Sequence, residues 1–86
     1  MHDLLLAKQI LDQVLSYVRS HGLKSVTKIV IEIGKIEEHG EKISTSNLKF
    51  NLSSLARGSL AAGAKIIIKK SSKPNYLNIK EIEAKK

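Results

Sequence analysis

The first three residues, Met1-His2-Asp3, carry the groups best suited to chemistry. A histidine in second place can chelate one metal ion together with the terminal amine and its own deprotonated amide, through fused five- and six-membered rings. Among divalent first-row ions, Cu(II) and Ni(II) best offset the loss of the amide proton, and both accept square-planar nitrogen sites. Asp3 could add a fourth ligand. Because a residue as bulky as His usually leaves the initiator methionine in place, the amine is expected to be that of Met1.

The other two histidines have simpler interpretations. His21 follows a predicted helix, where an imidazole suits the negative end of the helix dipole and can cap its carbonyl groups. His39 lies among Glu37, Glu38 and Glu41, a loop that can bind a cation but more often only faces solvent. The sequence contains no nucleophile–base pair and no phosphate-binding loop, so no enzymatic activity is expected.

Composition narrows the class of protein further. The chain has 86 residues, which predicts one domain, and no cysteine, which excludes disulfides, iron–sulfur clusters and thiolate zinc sites. Aromatic residues make up only 3% and form a poor platform for stacking bases. No apolar run is long enough for a membrane helix, and the N-terminus lacks the features of a signal peptide. The expected location is therefore the cytoplasm, with no membrane partner.

The charge leaves other functions open. Lys and Arg number 15 against 8 Asp and Glu, a net charge of +7, which permits a phosphate-rich or acidic partner but is also typical of a solvated surface. The alternative function is thus a small basic binding module for nucleic acid or an acidic protein, without a metal role. Its candidate residues are Lys65, Lys69, Lys70, Lys73 and Lys80. A third hypothesis is assembly, since free sheet edges allow a homodimer.

Two helices are predicted to position these groups. Residues 4–20 have apolar side chains at helical spacing, with Asp3 as N-cap and Gly22 as the residue after the C-terminus. A second helix follows the capping residues 45–47 and runs to about Ala56. Its predicted inner face consists of Leu48, Leu52, Leu55 and Ala56. Phe50 lies off that face, either under a loop or in an interface.

Three strands complete the prediction. Residues 26–34 alternate between apolar and polar, residues 35–44 are predicted to be loop, and residues 64–70 and 76–83 form two further strands. Residues 71–75 are predicted to join the last two strands as an antiparallel hairpin. The apolar phase breaks at Lys80–Glu81, which predicts a β-bulge. The order α-β-α-β-β predicts an α+β domain in which two helices cover one face of a three-stranded mixed sheet.

This ordered set of segments resembles the HypA family of nickel-insertion factors for nickel–iron hydrogenase and, in some organisms, urease. Family members open Met-His-Glu, continue with a helix and a His-Gly-Ala-Lys-Arg-Val turn, and have a strand ending Ile-Gly. The matching segments here are Met1-His2-Asp3, His21-Gly22-Leu23-Lys24-Ser25-Val26, Ile33-Gly34, Leu48-Lys49-Phe50-Asn51-Leu52, Arg57-Gly58-Ser59, Ala62-Gly63-Ala64 and the strand 76–83.

The resemblance implies transient Ni(II) binding by His2, with the amine of Met1 and the main chain at His2 and Asp3. It also implies exchange of nickel with the GTPase HypB or a nickel enzyme precursor. Two departures stand out. Family members carry a zinc domain between the last two strands, whereas here the turn 71–75 takes its place, so residues 1–86 are expected to form one nickel-binding domain without zinc. Asp3 replaces the family's Glu and shortens its reach by one methylene.

Overall fold

The part of the chain that the structure describes consists of two helices, a three-stranded sheet and a small two-stranded sheet. A computed structural model describes the backbone of residues 2–35, 37–38, 41–42, 44–74 and 76–86, and the side chains of residues 4–34, 44–74 and 76–86. In chain order the elements are α1 (His2–Ser20), β1 (Ser25–Lys35), β2 (Glu37–Glu38), β3 (Glu41–Lys42), α2 (Thr45–Ala56), β4 (Lys65–Pro74) and β5 (Leu77–Lys85). The predicted α+β class and the mixed sheet are confirmed. Among the described residues, neither helix is long and apolar enough to cross a membrane.

The main sheet has β1 in the middle, parallel to β4 on one side and antiparallel to β5 on the other. The predicted hairpin between the last two strands is therefore wrong, and residues 71–74 belong to β4. Asn75 lies outside the described residues. The physical reason is found in β1, where Val30 is buried on the face opposite Ile29 and Ile31. A strand that is buried on both faces is better covered when it is flanked on both sides.

The chain passes from β4 to β5 across the end of β1, beside Gly34. The Gly34 N–H donates a hydrogen bond to the Tyr76 carbonyl at 2.6 Å, and Lys35 pairs with Pro74 on the other side. A Cβ atom on Gly34 would overlap the Lys73 carbonyl oxygen and lie 3.0 Å from the Tyr76 Cβ. Only glycine fits at this crossing.

The core lies between the helices and one face of the sheet. Its buried residues are Ala7, Ile10, Leu11, Val14, Val18, Val26, Ile29, Ile31, Ile33, Leu48, Leu52, Ala56, Ala61 and Ile66. Leu55 was predicted to share the inner face of α2, but 37% of its surface is exposed. Phe50 is 69% exposed, which excludes the alternative that it lies under a loop.

The helix ends differ in part from the prediction. α1 begins at His2, so Asp3 lies within its first turn and is not the N-cap. Apolar periodicity marks where a helix packs, and the helical backbone continues beyond the packed stripe. At the other end Gly22 has a positive φ of 64°, as predicted, and the Leu23 N–H bonds the Val18 carbonyl at 3.0 Å.

α2 is capped by Ser44, one residue before the predicted cluster. The Ser44 hydroxyl accepts a hydrogen bond from the Asn47 N–H at 3.3 Å. The predicted loop 35–44 contains the paired strands β2 and β3, in which Glu37 faces Lys42. Short polar segments of this kind lack the apolar alternation by which a strand is recognised.

The β-bulge predicted at Lys80–Glu81 is confirmed. Val30 pairs with Glu81 and Ile31 pairs with Ile79, so Lys80 is the additional residue. Lys80 and Glu81 are both exposed, whereas Ile79 and Ile82 are half-buried and pack against the core. The extra residue therefore keeps the apolar side chains of β5 on the core face along the whole strand.

Charged side chains cover the outer face of the sheet. The Lys28 ammonium lies 3.2 Å from carboxylate oxygens of both Glu81 and Glu83, and the Lys80 ammonium lies 3.7 Å from Glu32. The hydrogen bond from Lys28 lowers the pKa of the Glu81 carboxyl below its ordinary 4.5. Hydrogen bonds to Glu83 and then Glu81 raise the pKa of Lys28 above its ordinary 10.5. Because Glu81 and Glu83 are exposed and Lys28 is only half-buried, solvent screens these pairs and their effect on stability is small.

This cluster should make stability depend on pH at both extremes. The Glu81 contribution is fully present above its unfolded pKa of 4.5 and is lost as the pH falls through the lower folded value. The Lys28 contribution is present below 10.5 and is lost as the pH rises through the higher folded value. We expect Lys28→Met to reduce the change of the free energy of unfolding with pH at both the acid and the alkaline end, as measured by urea denaturation at a series of pH values. The exposed control Lys24→Met should keep the wild-type dependence on pH, and an equal reduction by both variants would refute the assignment.

Candidate functional site

The candidate metal-binding residues stand at the start of α1. His2 is the first helical residue, Asp3 follows within the same turn, and Met1 and the side chains of His2 and Asp3 lie outside the described residues. The first N–H groups of an α-helix have no acceptor within the helix. The His2 amide is one of them, so this main-chain nitrogen takes no part in the hydrogen bonding that holds α1 together.

Packing fixes α1 a short distance after the candidate ligands. Among the residues of α1 whose side chains are described, the first fully buried one is Ala7, and Leu6 just before it packs against the core while half-buried. Before them Leu5 is 56% exposed. The described residues nearest the candidate ligands are thus partly exposed, with Leu4 half-buried and Leu5 facing solvent.

A shallow apolar pocket lies between the two helices, next to the described part of the first turn of α1. It has a volume of about 410 Å³ and is lined by Leu4, Leu5, Lys8 and Leu55. Leu55 was predicted to lie on the inner face of α2, and the structure instead brings it together with Leu5 at this surface. Because the two leucines come from separate helices, only the packing of α1 against α2 could reveal the pocket.

The structure supports the structural interpretation of His21. Its Nδ1 lies 2.9 Å from the Tyr17 carbonyl oxygen, and its ring stacks on the Tyr17 ring with centroids 4.1 Å apart. This contact caps the C-terminal turn of α1. His39 and the side chains around it lie outside the described residues. Within the part of the chain that is described, no three His, Asp or Glu residues come together as a metal site.

The structure separates the five lysines of the alternative basic site. Lys65, Lys69, Lys70 and Lys73 lie on β4, while Lys80 lies on β5 at the opposite side of β1. Some of them also have partners: the Lys80 ammonium is near Glu32, and the Lys73 ammonium lies 4.9 Å from the centre of the Tyr76 ring. After the hydrogen bond from Lys28, the charge of Lys69 also contributes to lowering the pKa of Glu81. The proposed cluster required adjacent strands, so its five-residue form is wrong.

A second groove runs between α1 and β5. It has a volume of about 330 Å³ and is lined by Gln13, Tyr17, Ile79, Lys80, Glu81 and Ile82. This groove was not predicted from the sequence, because β5 was expected to lie beside β4. The available indication was the bulge, which sets Lys80 and Glu81 side by side on the exposed surface of β5.

Comparison with known proteins gives one family. The sequence model described as "Hydrogenase/urease nickel incorporation, metallochaperone, hypA" matches residues 1–75. The hydrogenase maturation factor HypA of Pyrococcus furiosus is 36% identical over 67 residues, which cover 78% of this chain and 45% of that protein. The factor of the same name from Psychromonas ingrahamii is 37% identical over 68 residues, covering 79% of this chain and 56% of that protein. The chain thus spans about half the length of these curated relatives.

Proposed function

Because the chain belongs to the HypA family of hydrogenase and urease nickel-incorporation metallochaperones, we propose that it binds Ni(II) as cargo at its N-terminus and passes it on. Members of this family are maturation factors and not enzymes. The observation that carries the proposal is the match over residues 1–75, which includes the Met1-His2-Asp3 start, together with a helix that begins at His2.

The proposed ligands are the Met1 amine, the His2 amide nitrogen and the His2 imidazole, with Asp3 as the fourth. Deprotonating an amide in the middle of a helix would remove a hydrogen bond of the helix. At the first helical residue no such bond exists, because the first N–H groups have no acceptor within the helix. Ni(II) can therefore replace the His2 amide proton without unwinding α1, and square-planar nitrogen coordination suits this ion.

Release of the cargo follows from the same arrangement. The amine and the imidazole must both be deprotonated to bind, so acid should weaken the complex. The recipient or donor is proposed to be the GTPase HypB or a nickel enzyme precursor, and the proposed location is the cytoplasm. Both proposals rest on family membership alone, and the chain spans about half the length of its curated relatives.

Titration with Ni(II) tests the site. We expect a yellow, diamagnetic complex of about one ion per chain near pH 7.5, formed by tag-free protein whose first residue is confirmed as Met1. His2→Ala should weaken binding by roughly 100-fold or more, since even outer partners of metal ligands contribute 10- to 100-fold. Calorimetry and absorbance provide the measurement.

His21→Ala is the matched control, because it removes a histidine that the structure places at the other end of α1. This variant should bind Ni(II) like the wild type. Acetylation of the Met1 amine should reproduce the loss seen in His2→Ala. Equal Ni(II) binding by His2→Ala and the wild type would refute the proposed site.

A further inference from the structure

We propose that β5 is a self-complementary edge strand through which two copies of this chain pair, antiparallel, into one continuous sheet. The proposal is independent of nickel binding. Within the described residues the sheet order is β4-β1-β5, so β5 has β1 on one side and an open edge on the other. The open edge borders the groove lined by Tyr17 and Ile79. Unpaired strand edges are templates for another strand.

The bulge gives β5 an unusual symmetry. In a regular strand, residues three apart point to opposite faces. Here Ile79 and Ile82 both point to the core face, because the bulge inserts an extra residue between them. Lys80 and Glu81 both point away from it. Reading outward from the centre of the bulge, the sequence of core-facing and solvent-facing residues is the same in both directions.

Consider a two-fold axis that passes between Lys80 and Glu81. The residues that it places opposite each other point to the same face of the sheet and have complementary side chains. In this register Lys80 of each copy lies opposite Glu81 of the other. Two Lys–Glu ion pairs would therefore cross the axis, in addition to the contacts that Lys80 makes with Glu32 and Glu81 with Lys28 inside each chain. Ile79 lies opposite Ile82, also twice, and Leu77 lies opposite Ala84. All four of these apolar residues are half-buried in the single chain. Opposite charges and paired apolar side chains are the contacts that stabilise neighbouring strands.

The bulge also limits which strand can pair. A bulge on an edge usually discourages pairing, because a regular strand cannot follow its distortion. A second copy of β5 carries the same bulge at the same place, and the two-fold axis sets the two bulges against each other. The free edge of β5 therefore disfavours pairing with a regular strand and favours pairing with β5 of a second copy.

The other edge of the sheet lacks this property. β4 carries Lys65, Lys69, Lys70 and Lys73 and no acidic residue, so pairing with itself would set lysines against lysines. It ends in Pro74, and its register against β1 is irregular after Lys70. Lysine and proline on an edge oppose pairing. The contrast between the two edges singles out β5 as the surface for a second copy.

Sedimentation equilibrium on the full chain tests the proposal. The wild type should form dimers, and Lys80→Glu should raise the dimer dissociation constant about tenfold or more, because each of two ion pairs becomes a repulsion. Glu81→Lys should do the same. Lys65→Glu, which changes the net charge equally on the opposite edge, should leave the constant unchanged.

Mixing the two weakened variants gives the decisive result. A Lys80→Glu chain paired with a Glu81→Lys chain has opposite charges at both positions, so the mixture should dimerise more tightly than either variant does alone. Circular dichroism checks that each variant is folded. Failure of the folded variants to dimerise on mixing would overturn the proposed register. A wild type that stays monomeric at high concentration, or a dimer that neither substitution weakens, would overturn the interface.

Discussion

Gly34→Ala is expected to lower the free energy of unfolding by about 3 kcal/mol or more, at the upper end for single substitutions. The added methyl group would overlap the Lys73 carbonyl oxygen and approach the Lys73 carbonyl carbon to 2.9 Å. Neither atom can move alone, since Pro74 pairs with β1 on one side of the crossing and Tyr76 is hydrogen-bonded to Gly34 on the other. Urea denaturation followed by circular dichroism measures the loss.

Gly22→Ala is the control for this substitution. Gly22 has a positive φ of 64°, but a Cβ atom there would meet nothing within 4 Å. We expect a cost of about 1 kcal/mol, from backbone strain alone. The comparison separates steric overlap from strain. If the two variants lost equal stability, the close approach at the crossing would not be what requires glycine.

Leu52→Ala is expected to cost about 3 kcal/mol, within the range for emptying a buried leucine site. Leu52 is fully buried on α2, in contact with the core between the helices and the sheet. A chain of this size has little stability to spare, since about 0.1 kcal/mol per residue is typical. Thermal and urea denaturation should both show the loss.

Leu55→Ala provides the matched comparison on the same helix. Its side chain is 37% exposed and lines the pocket near the start of α1. Folding buries less apolar surface at Leu55 than at Leu52, so we expect the substitution to cost less than about 1.5 kcal/mol. A loss as large as that of Leu52→Ala would contradict the partial exposure of Leu55.

Local sequence patterns predicted the helices and main strands of the fold well. They predicted less well which strands lie next to each other in the sheet. The stripe on α1, the alternation in β1 and the phase break at Lys80–Glu81 each depend on a few consecutive residues. The position of β5 beside β1 depends instead on how completely Val30 is covered, which involves residues far apart in the chain. Short connections favour a hairpin, and that general tendency was wrong here.

The same distinction between local and long-range features applies to the candidate site. The Met1-His2-Asp3 chelate is a property of three adjacent residues, so the sequence alone is enough to propose it. The apolar pocket beside it joins Leu5 to Leu55, and the groove beside β5 joins Tyr17 to Ile82. Neither pair has any relation in the sequence. Both could be found only once the helices and strands had been placed against one another.

The central position of β1 also determines how the chain can fold. Its partner β4 begins at Lys65, long after β1 ends at Lys35, and β5 follows later still. The three-stranded sheet therefore contains no local hairpin that could form first and act as a nucleus. Chain entropy must be lost in closing long loops before the sheet gains any pairing, which slows folding relative to a helical protein of this size. Each helix needs only local hydrogen bonds, so we expect the helices to form before the sheet.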